Sequence, residues 1–191
     1  RSAQSRTGGR RGSATPCDVQ GMFRCERVYS RAGRHPEWPT PPPFQAVWER
    51  DWKTLGAFGE KGLLELVMAT HGGMTTTEFV GEVNDWLGKA RHPTLDRHYT
   101  ELVFQPMLEL LDYLRSNDFK IFIISGGGIE FVRTFSERVY GIPPERVVGS
   151  SIVTQFEVRD HVPVLVRRPK LSFFDDGEGK PVAINQHIGR R

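Results

Sequence analysis

Cysteine is scarce in this chain. Cys17 and Cys25 are its only two among 191 residues, and neither stands in a CxxC or a Cys/His cluster. A zinc ribbon and a disulfide scaffold are therefore excluded, and two simple thiols are expected. Long apolar runs are missing as well. None approaches the ~20 residues that a membrane span needs, and no N-terminal stretch has the apolar core of a signal peptide. A cytoplasmic protein with no membrane partner is the resulting expectation. Internal repeats are absent. The glycine spacing of a dinucleotide-binding loop is absent too, because Gly126-Gly127-Gly128 is contiguous and no acidic ribose partner follows at the expected distance.

An apolar content of 38% is enough for one core, or one core with a small helical appendage. The calculated pI near 9.0 raises the question of a polyanionic partner, but the positive charge is local. Residues 1–34 hold eight arginines against Asp18 and Glu26, a net of +6, so residues 35–191 carry −3. A basic tail attracts polyanions through counterion release. This one has few aromatics and no recognisable nucleic-acid module, so no specific nucleic-acid binding is expected.

Residues 1–34, rich in Arg, Ser and Gly, have the composition of a disordered tail, which cannot offset its ordering entropy by burial. Pro36, Pro39 and Pro41-Pro42-Pro43 form a stiff entry to the ordered part. From 44 to about 91 the pattern is helical, in two or three pieces separated by Gly59, Gly62 and Gly72-Gly73. Leu63, Leu64, Leu66, Val67 and Met68 mark one apolar helix. Thr75 and Glu78 have the spacing of a capping box for the next. His71, at a helix end, reads as a C-terminal dipole partner or an exposed residue rather than a catalytic base, and Trp38, Trp48 and Trp52 as packing residues.

After Pro106 the grammar becomes α/β. Met107, Leu108, Leu110, Leu111 and Leu114 define one helical face, and Ser116-Asn117-Asp118 a turn. Residues 119–124 read as a strand covered on both faces. A helix over 129–140 should stop at Gly141, ahead of Pro143-Pro144. Strands over 152–158 and 162–166, joined by Arg159-Asp160-His161, suggest a hairpin. A polar turn over 175–179 then precedes Lys180-Pro181 and the apolar piece 182–184.

The run Lys120-Ile121-Phe122-Ile123-Ile124-Ser125-Gly126-Gly127-Gly128 is the most informative stretch. A buried strand entering a small-residue turn that opens a helix places backbone N–H groups and a hydroxyl where a phosphate can sit. The bland alternative is a tight turn that serves packing alone.

Helix, buried strand, Ser-Gly-Gly, helix and a later Gly179-Lys180-Pro181 together resemble the haloacid dehalogenase-like hydrolase superfamily, near its phosphoserine phosphatase branch. The resemblance covers residues 35–191. It implies an α/β, Rossmann-like parallel sheet with an inserted α-helical cap, divided into a tail (1–34), the cap (35–104) and a partial α/β core (105–191). It further implies a Mg²⁺-dependent phosphomonoester hydrolase that acts through an aspartyl-phosphate on a small phosphorylated metabolite. Ser125, Gly126 and Gly127 would bind the phosphoryl oxygens, and Lys180 would neutralise the nucleophile and the phosphate.

The rest of that family's machinery is not found. Its nucleophile is the first aspartate of a DxDxT motif ending the first strand, and a late acidic pair completes its metal site; neither pattern occurs here. DxDxT should lie upstream of His35, where the Arg-rich segment stands, and the late motif would be expected just beyond Arg191. Asp175-Asp176 reads as part of a turn, Asp18 has no flanking strand, Asp51 falls in a helix and His187 on a polar helix surface. The expectation is a truncated, inactive or nearly inactive relative of the phosphatases, a pseudoenzyme that does not bind Mg²⁺. The alternatives are a non-catalytic module that binds an anion through Ser125 and Lys180 or a protein through the cap, and a gene fragment without function.

Overall fold

The computed structural model describes residues 19–31 and 43–189, which fall into two compact units divided between Thr70 and His71. Cys17, Trp38 and most of the proline-rich entry lie outside the described residues. The division comes well before residue 104.

In the first unit, helices α1 (Val19–Arg31), α2 (Phe44–Trp48), α3 (Trp52–Ala57) and most of α4 (Gly59–His71) surround a small core. Cys25, Val28, Phe44, Ala46, Val47, Leu55 and Leu66 are buried in it, with Tyr29 and Ala69 packed against it. Helix α1 overrides the expectation of disorder over 19–31. Cys25, Val28 and Tyr29, at i, i+3 and i+4, give one face enough apolar surface to pack. The Tyr29 hydroxyl donates to the Val47 carbonyl, and its ring lies 5.9 Å from that of Trp48. Helix α4 runs straight through Gly62. Asp51 precedes α3 rather than lying inside a helix; its carboxylate accepts from the Thr54 amide at 3.0 Å and the Thr54 hydroxyl at 2.5 Å. These hydrogen bonds hold its pKa below the ordinary value.

The second unit begins with a turn at Gly72-Gly73 and helix α5 (Thr76–Lys89). Its capping box forms as the sequence predicts. The Thr75 hydroxyl accepts from the Glu78 amide at 3.1 Å, and the Glu78 carboxylate accepts from the Thr75 amide at 2.6 Å. Phe79, Val83 and Leu87 are buried along one face. His71 stands in the last turn of α4, the place of a dipole partner, but is buried rather than exposed, its ring edge-on to Phe79 at 5.1 Å. Helix α6 (Gln105–Ser116) buries no residue fully, and Met107 and Leu110 are exposed.

Three strands make one sheet in the order β1 (Ile123–Gly128), β2 (Val147–Arg159), β3 (Val162–Phe173). β1 pairs parallel with β2, with Ile123 opposite Val147 and Ser125 opposite Gly149. β2 pairs antiparallel with β3. The sheet is thus mixed rather than parallel, because the loop between β2 and β3 is only Asp160-His161. Both have positive φ (50° and 65°), the backbone of a tight hairpin turn, which can join only antiparallel strands. The hairpin strands are longer than predicted and carry bulges near Ile152. β1 starts at Ile123 rather than at residue 119, and all its residues are half-buried, since it is an edge strand of this sheet.

The crossover from β1 to β2 is two short helices, α7 (Ile129–Arg133) and α8 (Ser136–Tyr140), rather than one. At the break, the Thr134 hydroxyl donates to the Phe131 carbonyl at 2.7 Å, the local bond by which Thr competes with a helical backbone. Gly141 ends α8 in the left-handed region (φ 63°), as predicted, and Arg115 donates to the Tyr140 carbonyl at 2.8 Å. The segment 73–75 is tied to β3: the Gly73 amide donates to the Arg167 carbonyl at 2.7 Å, and the Arg167 amide to the Met74 carbonyl at 2.8 Å. Helix α9 (Gly179–His187) packs on β1 and β2 and buries Ala183.

Candidate functional site

The site lies where β1 gives way to α7 and where α9 begins. Ser125 to Gly128 is not a free loop, for it forms the irregular end of β1, with a register shift between Ser125 and Gly128. The Ser125 hydroxyl oxygen accepts from the Gly127 amide at 3.1 Å. That bond commits the Gly127 N–H to its own turn rather than to an outside oxyanion. It also fixes the hydroxyl oxygen, whose proton remains available for donation.

A relay of hydrogen bonds joins β1 to the loop ahead of α9. The Ser150 hydroxyl donates to the Gly126 carbonyl at 2.8 Å and accepts from the Asp175 amide at 2.9 Å. The Lys180 ammonium donates to the Asp175 carbonyl at 3.1 Å and stands 3.9 Å from the Asp176 carboxylate. A Cβ on Gly126 would meet Asp176 at 3.3 Å, so the loop lies directly on the backbone of β1. Gly179, where α9 starts, is packed harder still. A Cβ there would lie 2.1 Å from the Phe174 carbonyl oxygen, and only glycine fits.

Asp175 is the unusual member of this group. It is fully buried, and the Ser125 backbone acts as a donor toward its carboxylate. Burial pushes its pKa above the ordinary carboxylate value, and the neighbouring Asp176 carboxylate adds to that. Lys180, His187 and the Ser125 backbone act in the opposite direction. Of the sequence-predicted site residues, Ser125, Gly126 and Lys180 are therefore gathered about one loop, whereas Gly127 turns inward.

Sequence reasoning missed one contributor to the site, Ser150, and one structural anchor, Arg167. Ser150 gave no signal beyond the small-residue run Gly149-Ser150-Ser151. Arg167 is buried in β3, ion-paired to Glu130 in the first turn of α7, with its guanidinium 3.8 Å above the Phe79 ring centre. Burial lowers its pKa to about 10. Together with Phe79 this pair ties α5, α7 and β3 to one another, which is a structural role.

Mg²⁺ requires oxygen ligands in near-octahedral array, usually with more than one carboxylate. Among the described residues no three His, Cys, Asp or Glu gather in a group able to hold a metal ion. Asp176 already has the Lys180 ammonium nearby, and burial raises the pKa of Asp175, which disfavours its charged form. This donor set does not fit the ion. Among the described residues, no helix is long and apolar enough to cross a membrane.

No family model matches the chain. No curated protein matches it either. One solved structure similar to it is that of a conserved, functionally unknown protein from Anaerococcus prevotii, at 17% identity and a TM-score of 0.46. The similarity covers 86% of this chain and 51% of that one, so the chain spans about half its length.

Proposed function

We propose that the end of β1 and the start of α9 form an oxyanion site of the haloacid dehalogenase-like type, which holds the phosphoryl group of a small phosphorylated metabolite without hydrolysing it. The observation that carries this reading is the meeting of Ser125 and Lys180 at a single residue. The Lys180 ammonium is bonded to the Asp175 carbonyl, and the Asp175 carboxyl is within electrostatic reach of the Ser125 backbone. The parallel β1–β2 pair with its helical crossover supports the finer reading of a Rossmann-like core.

Each residue has a distinct part. Lys180 supplies a positive charge held in place by a backbone carbonyl. The Ser125 hydroxyl, its oxygen engaged by Gly127, keeps a proton to donate. Such donors stabilise the equatorial oxygens of a phosphoryl group. They do not attack phosphorus, and the 191 residues contain no DxDxT aspartate to do so. Phosphate is held and the covalent route through an aspartyl-phosphate is closed.

Titration with inorganic phosphate, followed by calorimetry, and an assay of p-nitrophenyl phosphate with added Mg²⁺ test both halves. Saturable binding that weakens at least about tenfold in Ser125→Ala and in Lys180→Met, with no turnover, is the expected result. Mg²⁺-dependent turnover lost in Ser125→Ala would show a live phosphatase. Absence of phosphate binding would remove the site.

A further inference from the structure

Ser125 and Lys180 stand on different segments, one at the end of β1 and the other in the first turn of α9. Two donors share one anion well only where their spacing is set before it arrives. What sets it lies on neither segment. The Ser150 hydroxyl, from β2, donates to the Gly126 carbonyl at 2.8 Å and accepts from the Asp175 amide at 2.9 Å.

On the β1 side, the Gly126 carbonyl and the Gly127 N–H are opposite ends of one planar peptide group. The N–H end is bonded to the Ser125 hydroxyl oxygen at 3.1 Å. Holding the carbonyl end fixes the tilt of that group, and with it the place of the Ser125 hydroxyl. On the α9 side, Asp175 is the residue whose carbonyl takes the Lys180 ammonium at 3.1 Å. The Ser125 backbone also acts as a donor toward the Asp175 carboxylate. That tie runs through a rotatable side chain, whereas the Ser150 bond grips the main chain that carries the lysine's anchor. There is little slack in the arrangement, because a Cβ on Gly149 would lie 2.8 Å from the Gly127 carbonyl oxygen.

We infer that Ser150 is the positioning residue of the oxyanion site: one hydroxyl sets the spacing and aim of both Ser125 and Lys180 without touching the anion. The inference rests on the oxyanion reading of those two residues and adds the group that preorganises them. Ser150 is no donor to the ligand itself, since its single hydroxyl proton is committed to the Gly126 carbonyl.

The test is calorimetric titration of inorganic phosphate into the full chain and its Ser150 variants. Ser150→Ala should bind phosphate about tenfold more weakly. Ser150→Thr, which keeps a hydroxyl, should stay within about threefold of the unmodified chain. A role in stability alone would not couple Ser150 to the lysine. In a Lys180→Met background Ser150→Ala should therefore cost about threefold or less, because one of the two donors that it aims is gone.

Full affinity in Ser150→Ala, a Ser150→Thr as weak as Ser150→Ala, or an equal loss with and without Lys180 would overturn the inference while leaving the oxyanion site intact. Failure of the unmodified chain to bind phosphate would overturn the oxyanion reading itself, and this inference with it. Should circular dichroism show Ser150→Ala unfolded, Ser150→Cys takes its place, with similar volume but a weakly hydrogen-bonding thiol. It should lose at least about threefold, and an unchanged affinity would overturn the inference.

Discussion

The hydroxyl of Ser150 donates to the carbonyl of Gly126 at 2.8 Å, across the irregular end of the β1–β2 pair. Through the same oxygen it accepts the Asp175 amide at 2.9 Å. One short side chain thus satisfies two backbone groups from segments far apart in sequence. Ser150→Ala should leave both unpaired and cost about 1–3 kcal/mol. Urea denaturation of the variant checks this, and a loss under about 0.3 kcal/mol would show that water replaces the hydroxyl.

A Cβ at Gly179 would strike the Phe174 carbonyl, whereas at Gly88 in α5 it would meet nothing within 4 Å. Gly179→Ala should therefore lower stability by about 1–3 kcal/mol, because backbone rather than a flexible side chain must move. It should also weaken phosphate binding by displacing Lys180. Gly88→Ala should raise stability by about 0.5–1 kcal/mol through helix propensity. Thermal denaturation of the two variants side by side would show the opposite signs.

Removal of one partner from the buried Arg167–Glu130 pair leaves the other charge uncompensated. Glu130→Gln alone is expected to cost about 3 kcal/mol, and Glu130→Gln with Arg167→Met distinctly less than the sum of the single changes. A double-mutant cycle on unfolding free energy reads the coupling. Additive effects would show that the pair contributes little beyond its packing on Phe79.

Asp175 also sets a pH dependence of stability. Its folded-state pKa is raised by burial, so its contribution is present below the ordinary carboxylate value and is lost as pH rises through the elevated one. Asp175→Asn does not undergo that loss. The stability difference between the two proteins should shift in favour of the variant as pH rises above the ordinary carboxylate value of about 4. Denaturant midpoints measured at rising pH test the sign, and a constant difference would show that the carboxyl group does not titrate out of step with the unfolded chain.

Local chemistry was legible in the sequence wherever it alone decided the structure. The Thr75–Glu78 capping box, the Gly141 helix stop and the hairpin around Asp160-His161 each depend on a few adjacent residues, and all three form. Where tertiary packing decides, the reading failed. The arginines of α1 hid the buried stripe of Cys25 and Val28 beside Tyr29. The apolar pattern at 119–124 looked like a doubly covered strand, but the sheet leaves β1 at its edge. His71 was legible as a helix-end residue, but not its burial against Phe79.

For the site, Ser125 and Lys180 were legible as residue types in a pattern, and the structure brings them to one loop. Ser150 and Asp175 were not. A serine in a run of small residues and an aspartate in a polar turn are ordinary in sequence, and only the fold shows that one bridges two distant backbone segments while the other is buried.

Lys180 is tethered to the main-chain carbonyl of residue 175, and every amino acid carries that carbonyl. The aim of the ammonium is therefore a property of the backbone, while the field around it is set by the side chain at the same position. Evolution or an engineer can retune the charge preference of this corner through residue 175 without redirecting the cation, so that selectivity and positioning are adjusted by separate parts of one residue.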